Sequence, residues 1–259
     1  MDKPIYRSSY IKHYFQCPKK YMLSTQHEQE RTEAMRDGLL FEGYLFGFKN
    51  NDQEELEGRK KPATLEPLKK KAEYIKNLFN FEGESFKKIV IEMDDFILQG
   101  ELDFAGKFTH PKKGRLTGIV DIKFTSSIEK IWNYKMSKAD MFQSVMYPLL
   151  EMLESNQKEL NFNEPLPFYY LVIENNNFEE PLWKLFPVIV TKQDLHWIWS
   201  RIKQIHNAKE LGYPAKDDPE NCIGIYPYSG VCKYLEWCKE GRDMITLGNE
   251  IIFASLDEI

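Results

Sequence analysis

Two stretches constrain what this chain can fold into: Gly100-Glu-Leu-Asp103-Phe-Ala105 and Gly118-Ile-Val-Asp121-Ile-Lys123-Phe-Thr125. Both read as strands, and they are neighbours in sequence. Strand side chains alternate between two faces, so Asp121 and Lys123 share one face. Their neighbours Ile119, Val120, Ile122 and Phe124 are apolar. Charges inside so apolar a strand need partners or a purpose. One purpose is catalysis, and the other is a cross-strand ion pair at a sheet edge.

The flanking pattern places this pair in a larger sheet. Residues 86–93, 96–108 and 115–125 form an expected β-meander, with His110-Pro-Lys-Lys-Gly114 as the last turn. A helix is expected over about 136–154, with Met141, Val145, Met146, Leu149 and Leu150 as its apolar stripe. Gln143 and Tyr147 lie one turn apart on that helix, on one face. After a polar loop ending at Pro165, residues 167–174 read as a buried strand and 183–191 as another. Strand, helix and strand in this order predict a right-handed crossover and a parallel pair. A long helix over about 192–210 follows, then an irregular tail from Gly212 with a short helix at Val231–Trp237.

Ahead of the meander, residues 6–24 read as a helix opened by Ser8-Ser9 and interrupted by Pro18 just after Cys17. Cys17 is either a buried helix cysteine or a side chain presented at the break. A second helix over 32–50 is apolar almost all round, with Glu42 inside it and Gly38, Gly43 and Gly47 allowing close approach. Glu42 points either into a site or to solvent. Residues 49–64 read as a mobile surface loop, and a helix is expected at about 65–81. Arg59, Lys60, Lys61, Lys69, Lys70 and Lys71 form a basic patch that either meets phosphates or is a solvated face.

With 42% hydrophobic and 14% aromatic residues, a chain of 259 residues can build a large core and is not disordered. A net charge of −5 excludes a globally basic surface, so nucleic acid would need a local positive groove. No apolar run approaches the roughly 20 residues of a membrane span, and the first residues lack a signal-peptide pattern. The expectation is a cytoplasmic protein with no membrane partner. There, four cysteines are free, reactive or metal-bound rather than in disulfides.

Asp103, Asp121 and Glu42 suit a hard divalent cation, Mg²⁺ or Mn²⁺. With Lys123 beside it, such a cation suits phosphodiester hydrolysis. No Ser-His or Cys-His arrangement stands out for acyl transfer. The series Gly100-Glu-Leu-Asp103, Asp121-Ile-Lys123 and Gln143-x-x-x-Tyr147 resembles the PD-(D/E)XK nuclease superfamily. Within it, the chain looks like the RecB-type branch. That branch includes RecB and AddB nuclease domains, the Cas-type nuclease of CRISPR adaptation and phage RecE-like exonucleases. Gly38-Leu-Leu-Phe-Glu42 is similar to that branch's Gly-x-x-x-His, with Glu where His is usual.

The resemblance implies an α/β, restriction-endonuclease-like fold with a central mixed sheet flanked by helices. It implies metal ligands Glu42, Asp103 and Asp121, a catalytic Lys123, and Gln143 and Tyr147 orienting the site and the DNA. The implied function is a metal-dependent exonuclease acting on DNA ends or single strands, in recombination, repair, phage or CRISPR settings. A catalytically drifted DNA-binding module, or a subunit of a helicase–nuclease complex, is the alternative. A homo-oligomer and a recombination or helicase partner both stay open. No Gly-x-x-x-x-Gly-Lys-Ser/Thr phosphate loop for a motor occurs in the chain.

The cysteines stand as Cys17, then Cys222-x₉-Cys232-x₅-Cys238. Four thiolates can hold a [4Fe–4S] cluster. Zinc and unliganded thiols are the other readings. The split of one plus three, with Cys17-Pro18 first, is similar to the iron–sulfur staple of AddB and Cas-type nucleases. That implies one nuclease domain over 1–259, with a core at about 32–210 and a clasp from 8–24 and 212–240.

Overall fold

The fold is described from a computed structural model, which describes residues 3–16, 18, 21, 24, 32–47, 56–58, 60, 62–132, 141–155, 167–175, 180–210, 242–247 and 250–255. The chain divides into two compact units, Met1–Ser8 with Glu30–Ile202, and Ser9–Gln29 with Lys203–Ile259.

The first unit holds a six-stranded mixed sheet in the order β1-β3-β4-β5-β6, with β2 also on β3. The strands are β1 (Ile5–Tyr6), β2 (Glu82–Glu92), β3 (Ile97–His110), β4 (Gly114–Thr125), β5 (Phe168–Glu174) and β6 (Trp183–Val188). β2, β3 and β4 are antiparallel, as the meander predicts. β4 and β5 are parallel, with Asp121 beside Tyr170 and Lys123 beside Val172. β6 returns antiparallel to β5. β1 pairs parallel with the start of β3, Ile5 opposite Ile97. Tyr6 lies in this strand rather than in the helix expected from residue 6, and helix α1 opens at Ser8, as Ser8-Ser9 predicts, and runs over Ser8–Gln16, ending before the expected break at Pro18. A two-residue strand has no periodicity to read.

Helices α2 (Glu33–Phe46) and α3 (Pro62–Phe79) cover one face of the sheet. Phe41 and Leu45 of α2 and Ala72, Ile75 and Phe79 of α3 bury against Phe104, Phe108, Val120, Ile122, Leu171 and Ile173. Each such buried side chain larger than alanine stabilises the fold by about 1.5–3 kcal/mol. Thr32 caps α2, its Oγ1 accepting the Met35 N–H at 3.3 Å. The helix stops at Gly47, whose φ of 95° only glycine adopts easily, rather than running on to 50. α3 starts three residues earlier than expected, with Pro62 at its first position, where a missing N–H costs nothing. It stops at Phe79 because Asn80 turns left-handed at φ 43°.

α4 (Met141–Ser155) packs on the opposite face, burying Val145, Met146, Leu149, Leu150 and Leu153. The expected first turn of this helix, 136–140, lies outside the described residues. A π-helical turn, Ile128–Trp132, follows β4. α5 (Lys192–Glu210) opens on a reciprocal cap. Asp194 accepts the Thr191 N–H at 2.8 Å, and Thr191 Oγ1 accepts the Asp194 N–H at 3.3 Å.

The 49–64 stretch is not simply a mobile loop. Leu56 packs on Leu40, Leu65 and Leu68, and Glu57 accepts the Tyr44 hydroxyl hydrogen at 2.9 Å. The basic patch is also partly spent. Lys60 pairs with Glu33 and Asp37, Lys69 pairs with Glu57, and Lys71 is buried. Arg59 and Lys61 lie outside the described residues.

In the second unit, Tyr21 meets Tyr10 and Tyr14 edge-on. The tail is not irregular throughout. β7 (Arg242–Leu247) and β8 (Glu250–Ser255) pair antiparallel. Gly-Asn at 248–249 is a sequence signal for such a hairpin. The expected helix at Val231–Trp237 and all four cysteines lie outside the described residues. Among the described residues, no helix is long and apolar enough to cross a membrane.

Candidate active site

The site forms where β3 and β4 part. Their ladder runs from His110↔Gly114 down to Phe104↔Val120 and stops there. One residue further, the Asp103 side chain replaces the missing backbone partner, and its Oδ2 accepts the Ile122 N–H at 2.7 Å. Asp103 is also passed over on its other side. The β2–β3 register runs unchanged from Ser85↔Phe104 to Lys87↔Leu102, but the rung between them, Phe86 opposite Asp103, is not made. Phe86, opposite Asp103, holds a left-handed φ of 53°, rare for a bulky side chain and common beside functional groups. Its ring meets Phe46 of α2, 6.0 Å between centroids.

Asp121 is fully buried on the α4 face of β4. Each of its oxygens has a partner. Oδ1 accepts from Gln143 Nε2 at 2.5 Å, and Oδ2 pairs with the Lys123 ammonium. The same Gln143 amide donates to the Tyr147 hydroxyl at 3.0 Å. The helical spacing of 143 and 147 sets both side chains over Asp121, as the sequence predicts. Lys123 keeps 30% of its side chain exposed, while its ammonium pairs with the fully buried carboxylate of Asp121.

The electrostatics follow from this geometry. Burial pushes the Lys123 pKa down, but the charges of Asp121 and Asp103 outweigh it and hold the amine well above its usual range. Lys123 is therefore a fixed cation near neutral pH. Burial, then the same two carboxylates, raises the Tyr147 pKa. Tyr147 stays a neutral phenol.

Five predicted residues, Asp103, Asp121, Lys123, Gln143 and Tyr147, thus come together. Glu42 sits half-buried on α2, one turn on from Gly38, whose backbone approaches Phe124 of β4. Phe41 stacks on Phe124 at 5.0 Å. Among the described residues, no three His, Cys, Asp or Glu side chains converge as a metal-binding group. The donors that do converge, two carboxylates with hard oxygens, fit Mg²⁺ or Mn²⁺, which bind through one or two carboxylates and keep several waters.

Sequence reasoning missed Phe86 and the ion pair of Lys87 with Glu151, at 2.8 Å, beside this site. A charged residue following an aromatic in a strand carries no such signal.

The site thus sits in an α/β sheet flanked by helices, with two carboxylates and a lysine where two strands part. The chain is similar over 94% of its length to a crystal structure from Eubacterium rectale that carries the name "putative exonuclease". The match covers 90% of that chain, with a TM-score of 0.55 and 16% sequence identity, a likeness of fold. No protein-family model matches the sequence, and no curated protein matches it.

Proposed function

We propose that this chain is a metal-dependent exonuclease of the PD-(D/E)XK type, hydrolysing DNA from ends or along single strands. The observation that carries the reading is the convergence of Asp103, Asp121 and Lys123 at the β3–β4 split, under Gln143 and Tyr147. The fold shared with the E. rectale protein supports it.

Asp103 and Asp121 would hold Mg²⁺ or Mn²⁺, with Glu42 of α2 as the third carboxylate. When bound, that ion supplies Lewis-acid polarisation of a phosphoryl oxygen and a more acidic water. The chain's own groups then divide the work. Lys123, held protonated, cannot accept a proton near neutral pH. It balances the negative charge that builds on the phosphoryl group as water oxygen adds to phosphorus and the P–O ester bond breaks. Gln143 locks Asp121 in one rotamer by holding Oδ1. Tyr147 accepts from Gln143, which leaves its own O–H to donate into the site. The family resemblance implies 5′-phosphorylated products.

Asp121→Ala or Lys123→Ala should lower Mn²⁺-dependent degradation of end-labelled DNA by roughly 100-fold or more. If both variants digest DNA at the parental rate while remaining folded, the chemistry lies elsewhere. A second reading, a nuclease-fold DNA-binding protein without activity, is favoured by Glu42 standing apart from any three-ligand group among the described residues. Mn²⁺ calorimetry on the parent and Glu42→Ala separates the two. A metalloenzyme binds Mn²⁺ and loses affinity on substitution, and a drifted module binds none.

The same reading assigns Cys17, Cys222, Cys232 and Cys238 to a [4Fe–4S] cluster. The one-plus-three arrangement supports it, as does the pairing of Ser9–Gln29 with Lys203–Ile259 in one compact unit.

A further inference from the structure

We propose that Lys87 of β2 is a positioning residue that sets the register of α4, and through it the Gln143–Tyr147 pair on Asp121. The inference rests on the nuclease reading for its kinetic consequences, though not for its structural one. Lys87 Nζ donates to both oxygens of Glu151, at 2.8 and 3.0 Å, and pairs with Glu154 at 2.7 Å. The Lys87 side chain is 18% exposed and that of Glu151 is 8% exposed.

So dry an ion pair adds little net stability, because desolvation offsets the attraction. Its best-attested use is to fix register. α4 needs such a device. Besides the Gln143–Asp121 hydrogen bond, its buried side chains include Met146, Leu149, Leu150 and Leu153, whose apolar surfaces have no directional preference. A slip of one turn would move Gln143 by about 5.4 Å and uncouple it from Asp121. Two carboxylates three residues apart, meeting one ammonium, fix both rotation and translation of the helix. The clamped turn is next to the working one: Glu151 lies four residues after Tyr147 and eight after Gln143, on the same face.

The strand side is shaped to match. Lys87 sits opposite Leu102, and Ile89 sits opposite Gly100. A Cβ at Gly100 would stand 2.5 Å from Leu150 Cδ1 and 3.2 Å from Tyr147 Cε1. The missing side chain lets α4 seat at the turn between Tyr147 and Glu151. Lys87 also directly follows left-handed Phe86, so the backbone irregularity opposite Asp103 and the clamp on α4 are consecutive residues. The charge is secure, since burial lowers the Lys87 pKa but Glu151 and Glu154 outweigh it and the net shift is upward.

The test uses the full chain with 3-fluorotyrosine at position 147, read by ¹⁹F NMR alongside kcat and KM on end-labelled DNA. Lys87→Met should shift or broaden the fluorine resonance and lower kcat about tenfold or more, with KM within about twofold, the pattern of a displaced catalytic group. Lys87→Arg should return both toward the parent. A Lys87→Met protein with the parental resonance and parental kcat overturns the proposal, as does a loss confined to KM. If the parent shows no nuclease activity, the nuclease reading fails and the fluorine arm alone decides the clamp. Should Lys87→Met not fold, Glu151→Gln, which keeps the side chain's shape, carries the same test.

Discussion

Asp121 and Lys123 are partners of unequal dependence. Asp121 has no exposed surface, whereas Lys123 reaches solvent with 30% of its side chain. Removing the lysine strands a buried carboxylate, while neutralising the carboxylate leaves a lysine whose side chain is still partly exposed. Lys123→Met should therefore cost on the order of 3 kcal/mol, near the low end for a broken buried pair. Asp121→Asn should cost far less, because Gln143 can reorient its amide towards the new side chain. Urea unfolding of the two variants measures the difference, and equal costs would mean that the two partners depend on each other equally. Both should be inactive, so stability and activity separate at this pair. These residues were legible because period-2 and period-3.6 spacing are written in the chain. Phe86 and Lys87 were not, since their roles depend on a backbone angle and on Glu151, 64 residues away in sequence.

Among the elements, the β3–β4 hairpin carries its own pH dependence. His110 ends β3 in a buried position, and its Nδ1 accepts the Lys112 and Lys113 backbone N–H groups, both at 3.0 Å. Phe79 and Trp183 close on the ring edge-on, at 6.3 and 5.7 Å. Burial, then the charges of Lys113 and Lys112, lowers the His110 pKa below its ordinary value. Above about pH 6.5 neither folded nor unfolded chain protonates this ring, and it contributes no pH dependence. As pH falls below that value, the unfolded chain gains a proton first, so stability drops. His110→Asn offers an uncharged acceptor to the same N–H groups. The variant should lose less stability between about pH 7 and pH 5 than the parent, by denaturant titration at each pH. Parallel curves would remove His110 as a contributor. The meander and the parallel β4–β5 pair were readable from alternation and order. The two-residue β1 was not, because what holds it is the β3 edge rather than any pattern of its own.

At the scale of the whole molecule, the second unit is assembled from two stretches, Ser9–Gln29 and Lys203–Ile259, with all of the sheet unit except Met1–Ser8 between them in sequence. Joining chain ends so far apart costs loop-closure entropy, and a covalent or metal clip over roughly 200 residues recovers about 5 kcal/mol of it by restricting the unfolded chain. The proposed [4Fe–4S] cluster would be such a clip, since Cys17 lies in the first stretch and Cys222, Cys232 and Cys238 in the second. Protein purified without oxygen should then be brown, with absorbance near about 400 nm and about four iron and four sulfide per chain. Cys17→Ser should remove that band. It should also make the second unit the first target of limited proteolysis, while Glu30–Ile202 survives with strands β2–β6 intact. Cluster loss that leaves the proteolysis pattern unchanged would mean that the thiolates bind iron without holding the unit together. A colourless, zinc-loaded preparation would assign the cysteines to zinc. The first unit gives the reason to expect a separable effect. Every side chain that converges on Asp121 comes from β3, β4 and α4, all inside Glu30–Ile202, so the carboxylate–lysine site can persist when the clasp is opened.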